Sequence, residues 1–269
     1  MRKAFIIILT LLNVSAIYAQ RNEIGPFIGA SYYLGDLNPS KHFMLSRPAA
    51  GLIYRYNFDH RWALKMSGLY GSVAGDDSKA RFNQARNLSF KSPVAELSSQ
   101  LELNFLPYLT GNTDKEYFTP YIFGGISVFR FNPKASYDGH WYKLQPLGTE
   151  GQGTSLYGTK PYSLVNISFP FGFGFKYSVG KYVCIGTEWG LRKTTTDYLD
   201  DVSKTYSDPK VLSTQNNSIA IILADRSGKE NNTGMQRGNS GTKDWYSFAG
   251  AFITFKFKTG GKESCPAYK

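Results

Sequence analysis

From Val165 to Tyr177 every second residue is large and apolar: Val165, Ile167, Phe169, Phe171, Phe173, Phe175 and Tyr177. The residues between them, Asn166, Ser168, Pro170, Gly172, Gly174 and Lys176, are small or polar. A period of two puts the two sets on opposite faces of a β-strand. In a water-soluble sandwich the polar face is solvated and charged, and the apolar face is core. Here one face is bulky and aromatic and the other is small. That combination suits a barrel whose outside meets lipid and whose inside is narrow and wet.

The same pattern recurs along the chain. Ala95, Leu97, Ser99, Leu101, Leu103 and Phe105 alternate with Glu96, Ser98, Gln100, Glu102 and Asn104. Two carboxylates on one strand face need water or cations, because isolated buried charge is costly. Arg55, Lys65, Lys176 and Lys256 take the inward phase of their strands, and the segment 181–196 adds Glu188 and Arg192. Eight strands are expected, at 22–36, 48–57, 61–75, 94–106, 118–131, 163–177, 181–196 and 244–258. The segment 118–131 is apolar on both faces, so its phase is ambiguous. Short connections at Phe58–His60, Pro107–Tyr117 and Ser178–Gly180 alternate with long ones at Leu37–Arg47, Asp76–Pro93, Asn132–Tyr162 and Asp197–Lys243. Outer-membrane barrels segregate their connections in this way. The expected fold is all-β: an eight-stranded antiparallel transmembrane β-barrel with short periplasmic turns, long extracellular loops and both termini in the periplasm. A lumen of eight strands is about wide enough for side chains to fill, so salt-bridged packing is expected there rather than an open pore.

The ends divide the chain into three parts. Met1-Arg2-Lys3, the apolar run Ala4 to Leu12 and the small-residue site at Ala19 predict a signal peptide at 1–19. The barrel then occupies 20–258 and a periplasmic tail 259–269. Arg2 and Lys3 leave with the signal and no acid does, so the formal charge of +11 becomes +9. The closing strand ends on Phe257, and Lys258, Lys262 and Cys265 follow as expected partner-contact residues. Cys184 and Cys265 are the only cysteines. They pair with each other, leave Cys265 for a partner's thiol, or have no role.

An aromatic share of 16% argues against disorder, and beyond the N-terminus no apolar run is long enough for a membrane helix. Little in the chain speaks for catalysis. The only histidines, His42, His60 and His140, fall in expected loops or turns and read as solvent-exposed. Asp197, Asp200 and Asp201 lack the regular spacing of a calcium loop and read as solvated charges with a local turn cap. Gly172-Phe173-Gly174 is followed by no helix, so its glycines are expected to make room inside the barrel rather than to hold phosphate. The loop cations Lys79, Arg81, Arg86 and Lys91 read as contacts for anionic outer-membrane lipid rather than nucleic acid. No enzyme activity, cofactor or metal is expected. The apolar piece Ile219–Leu223 reads as a short helix or a strand extension within the longest loop.

Several strings carry a family resemblance: Tyr32-Tyr33-Leu34-Gly35-Asp36-Leu37-Asn38-Pro39, PYIFGGISVFRFNP at 120–133, Phe169–Gly174, WGLRKTTTDYLDD at 189–201 and QRGNSGTKDWY at 236–246. Together they resemble the PorG-like outer-membrane β-barrel family of Bacteroidota, a component of the type IX secretion system. The resemblance implies a non-catalytic barrel that associates with the periplasmic ring of the lipoprotein PorK and its partner PorN. The alternative is a small outer-membrane porin or channel of OmpA/OmpW-like type. A lipid-modifying hydrolase is the weaker rival, because no strand carries a base for it.

Overall fold

Strands with one bulky face and one small face close on themselves, because closure hides the small face and leaves no unpaired edge. The computed structural model describes residues 22–111, 116–154, 158–215 and 218–257. Eight of its strands form the wall: β1 (Asn22–Leu34), β2 (Arg47–Asn57), β3 (Trp62–Asp76), β4 (Ser89–Asn104), β5 (Phe118–Phe131), β8 (Val165–Val179), β9 (Val183–Thr194) and β10 (Trp245–Phe257). Each pairs antiparallel with the wall strand next in sequence, and β1 pairs with β10 from Asn22↔Phe257 to Leu34↔Trp245 to close the barrel. The expected eight-stranded antiparallel barrel is therefore present. The expected signal peptide and the tail residues Lys258, Lys262 and Cys265 lie outside the described residues.

Two departures from expectation concern the wall's edges. β4 begins at Ser89, not 94, because β3 and β4 continue as a two-stranded ribbon to Asp76↔Ser89. Pro93 lies just past the last β4–β5 pair, Val94↔Phe131, at the kind of edge where a sheet tolerates proline. The long connection 132–164 also contains an unexpected hairpin, β6 (Lys134–Tyr137) and β7 (His140–Lys143), which extends the sheet from β4 through the pair Lys91↔Lys134. Among the described residues, three α-helices lie in the connections at this end: α1 (Asp77–Ala80), α2 (Pro209–Gln215) and α3 (Ser218–Ala224). The apolar piece at Ile219–Leu223 is thus helical, with Ala220, Leu223 and Ala224 buried.

The outer face is apolar along the wall: Ile28, Leu52, Leu97, Ile126, Phe171 and Phe255 are exposed. Tyr56, Phe58, Trp62, Phe105, Tyr117, Tyr177 and Tyr182 gather toward the short-turn end. The ambiguous β5 resolves with Tyr121, Phe123, Phe129 and Phe131 buried inside and Ile122, Ile126 and Val128 outside. Inward aromatics fit there because neighbouring strands present glycine. A Cβ on Gly172 would meet Phe123 Cζ at 2.8 Å, and one on Gly174 would meet the Tyr121 ring at 2.7 Å. These glycines do make room inside the barrel.

The lumen is filled by charge. Arg55 donates to Glu23 at 2.9 Å and to Glu102 at 2.8 Å, and Lys176 reaches Glu102 at 2.8 Å. Lys65 pairs with Glu188 at 2.5 Å, and Arg192 pairs with Glu96 at 3.1 Å. Aromatic rings cover these cations: Lys65 Nζ lies 4.1 Å from the Phe123 centroid, and Arg55 and Arg192 lie 5.0 and 4.9 Å from Phe252 and Phe248. Among the described residues the buried core of the lumen balances Glu23, Glu96, Glu102 and Glu188 against Arg55, Lys65, Lys176 and Arg192. Cys184 is buried in the same interior.

Candidate functional site at the long-loop end

The β4–β5 connection, read from sequence as a short turn, is no shorter than the β1–β2 connection at the opposite end, and it folds inward. Tyr108 and Thr110 are buried. Thr110 Oγ1 donates to Glu23 at 2.7 Å, Lys256 Nζ donates to the Thr110 carbonyl at 2.6 Å, and the Gly111 N–H donates to Ser178 Oγ at 2.8 Å. These bonds hold the described part of the connection against the lumen at the short-turn end. His60 stands outside it with Nδ1 3.5 Å from Glu116.

The opposite mouth is covered by a built cap. Its frame is two arginines that sequence reasoning left unassigned or placed elsewhere. Arg86 holds Asp77 through Nε and Nη2 at 2.9 and 2.7 Å and donates to the backbone carbonyls of Asp36 and Arg237 at 2.8 and 2.6 Å. It is buried, which corrects its reading as a lipid-facing cation. Arg237 donates to Glu150 at 3.0 Å and to the carbonyls of Asp201 and Ala224 at 2.6 and 3.0 Å. Four connections are thereby clipped together. Beneath them Tyr162 stacks on Phe131 at 6.3 Å and on Tyr198 at 4.6 Å, so the cap's apolar interior continues into the barrel core.

Asp197, Asp200 and Asp201 are buried here, not solvated. Asp200 Oδ2 accepts from the Tyr33 hydroxyl at 2.5 Å, while Asp244 Oδ1 lies 3.2 Å from the same oxygen. A phenol has a single proton to give. The shorter contact, to Asp200, is the one that proton serves best, and Asp244 is the second acceptor within its reach. Burial, with Asp36 as an acidic neighbour, pushes the Asp200 carboxyl well above the usual carboxylate range, and burial beside Asp200 and Asp197 does the same to Asp244. Burial raises Asp201 to about 6 against the opposing pull of Arg237, and Asp197 to about 6 despite its bond from Ser203. Asp201 also accepts from Thr149 at 2.5 Å and from Tyr162 at 2.6 Å. Among the described residues no group of three or more His, Cys, Asp or Glu side chains is arranged to hold a metal ion.

Three strings noted in the sequence, 32–39, 189–201 and 236–246, converge in this cap through Tyr33, Asp36, Asp200, Asp201, Arg237 and Asp244. Glu150 was missed, since nothing in its local sequence, Gly148-Thr149-Glu150-Gly151, distinguishes it from a solvated loop acid. His42 lies on the outer side, its Nδ1 2.9 Å from the Tyr32 hydroxyl, which accepts from Trp189 Nε1 at 2.8 Å. A cleft of about 800 Å³ runs beside the cap, with Asp36, Arg86, Asn239, Lys243 and Trp245 among its lining residues. The arrangement offers hydrogen-bonding groups and a surface cleft beside them.

Solved structures similar to this chain include Ail, the attachment invasion locus protein of Yersinia pestis, crystallised with the heparin analogue sucrose octasulfate. That likeness has 10% identity and a TM-score of 0.43, and covers 89% of this chain and 100% of that one. Neisserial surface protein A is similar at 9% identity and a TM-score of 0.42, over 88% of this chain and 97% of that one. The outer membrane protein OprG of Pseudomonas aeruginosa is similar at 11% identity and a TM-score of 0.42, over 90% and 97%. No curated protein matches the chain. Residues 2–219 match the family described as Domain of unknown function (DUF6089), and the chain belongs to that family.

Proposed function

We propose that this chain is a non-catalytic, non-conducting barrel of the outer membrane whose work is done by surfaces at its two ends. The observation that carries this reading is the neutral ion-pair network that fills the lumen, from Glu23 and Arg55 through Glu102 and Lys65 to Glu96 and Arg192. A lumen so filled serves as a scaffold, not a conduit. The exposed apolar wall supports integral insertion, since the shortest wall strand, β2 with 11 residues, still meets the roughly 9–11 residues that a tilted strand needs to cross. In this reading the short-turn end and both termini face the periplasm and the capped end faces outward.

The resemblance of strings 32–39, 189–201 and 236–246 to the PorG-like family extends the proposal: the barrel associates with the PorK and PorN ring of the type IX secretion system. Its periplasmic turns and the tail with Lys258, Lys262 and Cys265 are the docking elements. Crosslinking and mass spectrometry on intact envelopes tests this directly. Crosslinks from the short-turn end to the ring lipoprotein are expected. Deleting Lys262–Lys269 or changing Cys265→Ser should reduce recovery of that lipoprotein with the barrel; unchanged recovery would remove the tail from the mechanism.

A further inference from the structure

β4, β6 and β7 place three lysines in one row. Lys91 is directly opposite Lys134, and Lys134 is directly opposite Lys143. Side chains in such pairs share a face with their Cβ atoms about 5 Å apart, and like charges there destabilise the sheet. The face is the outer one. Phe90 and Ser92 beside Lys91 are buried, Ala135 beside Lys134 is buried, and Tyr142 beside Lys143 packs on the core. Among the described residues, no carboxylate lies within ion-pair distance of any of the three lysines. Trp141 stands on the same face, 56% of its surface exposed, with Lys91 Nζ 5.9 Å from its ring centroid.

The row adjoins the apolar wall. Along β4 the next outward residues are Pro93, Ala95 and Leu97, and Leu97 is 66% exposed. On β5, exposed Arg130 pairs with Ala95, and exposed Val128 and Ile126 follow it toward the short turns. Cations with long apolar stems and an amphipathic indole, set just beyond a lipid-facing belt, match the place where headgroups meet acyl chains. Three mutually repelling ammonium groups held in register are relieved by an anion carrying several oxygens, and lysine meets phosphate as a point charge.

We propose that the Lys91–Lys134–Lys143 row, with Trp141 and Arg130, is a binding site for the phosphorylated sugar headgroup of an outer-leaflet glycolipid. The inference rests on the reading of the chain as a membrane barrel. The headgroup phosphate bridges neighbouring ammonium groups, the acyl chains lie along Leu97, Val128 and Ile126, and the indole packs at the sugar level.

The test uses the full-length barrel folded in detergent and exchanged into nanodiscs doped with bis-phosphorylated lipid A, dephosphorylated lipid A or neither. Lipid retained after stringent washing is quantified by mass spectrometry. The wild-type barrel should retain at least fivefold more bis-phosphorylated than dephosphorylated lipid A. K91Q/K134Q/K143Q should lose that preference, and K181Q, at the opposite end, should keep it. Millimolar inorganic phosphate should not displace the lipid; if it did, the row would be a free-phosphate site and the proposal would fail. Equal retention of both lipids, or an unchanged preference in the triple variant, would also overturn it. In lipid-A-free detergent the triple variant should melt at a higher temperature than wild type, since it lacks the repulsion; a lower midpoint contradicts the row's unpaired state. Failure of the wild type to insert, read from its heat-dependent gel migration, would instead defeat the membrane reading itself.

Discussion

Among the described residues, Glu102 meets more buried cations than any other carboxylate of the lumen. It accepts from Arg55 Nε at 2.8 Å and from Lys176 Nζ at 2.8 Å, and Lys65 Nζ lies 3.6 Å away. Replacing it by alanine leaves three buried cations with one fewer anion, and breaking a buried pair from one side costs about 3–5 kcal/mol. Glu102→Ala is therefore expected to lower the urea midpoint of the refolded barrel by that equivalent, followed by tryptophan fluorescence and gel migration. An unchanged midpoint would mean that water already reaches the network. The cap's acids behave oppositely. Asp200 and Asp244 sit above the ordinary value of 3.8, and Asp197 and Asp201 rise to about 6. A carboxyl whose folded value is raised contributes stability that is complete below 3.8 and lost as pH climbs through its folded value. The segment 197–244 should thus exchange its amide hydrogens more readily at pH 8 than at pH 5 after correction for intrinsic rates. Asp244→Asn, which keeps the neutral form, should flatten that profile.

The strand seams set which glycines can change. A Cβ on Gly25 would run into the Ile253 carbonyl and lie 2.8 Å from Thr254 Cα at the β1–β10 seam, whereas one on Gly68 of β3 meets open space. Gly25→Ala should cost about 1–3 kcal/mol through crowding, and Gly68→Ala should stay within about 0.5 kcal/mol of wild type. Paired urea titrations separate the two. The contrast also marks what was legible in the chain. Wall strands were readable because an apolar outer face and a narrow interior impose opposite demands on alternate residues, so β8 and β9 announce their faces through Phe171 and Gly172, or Trp189 and Arg192. β5 did not, because Tyr121 and Phe123 are lumen aromatics whose space comes from glycines on another strand. β6 and β7 escaped notice for a different reason: four residues are too few to display a period. The cap was the least legible, since Tyr33 meets Asp200 and Asp244 across 167 and 211 residues of chain. No local spacing encodes such a meeting.

Three layers of side chains follow one another along the barrel axis: the turn residues Tyr108 and Thr110, the ionic lumen, and the cap framed by Arg86 and Arg237. Only the middle one spans the wall. An eight-stranded lumen is about as wide as the side chains that fill it, so its ion pairs alone should block conduction. In planar bilayers the wild-type barrel is expected to be silent. Replacing 199–240 with a short linker removes most of the cap's own residues but none of the lumen pairs, and that variant should remain silent. Changing Arg55, Lys65, Lys176, Glu23, Glu102 and Glu188 together to alanine keeps the lumen's charge balanced while emptying its centre. That variant, if it refolds with heat-dependent migration, should show single-channel steps. Steps from the cap deletion alone would assign the seal to the loops and make the barrel a gated channel. Silence from both variants would assign it to the turn at Tyr108, whose connection would then be the next segment to shorten.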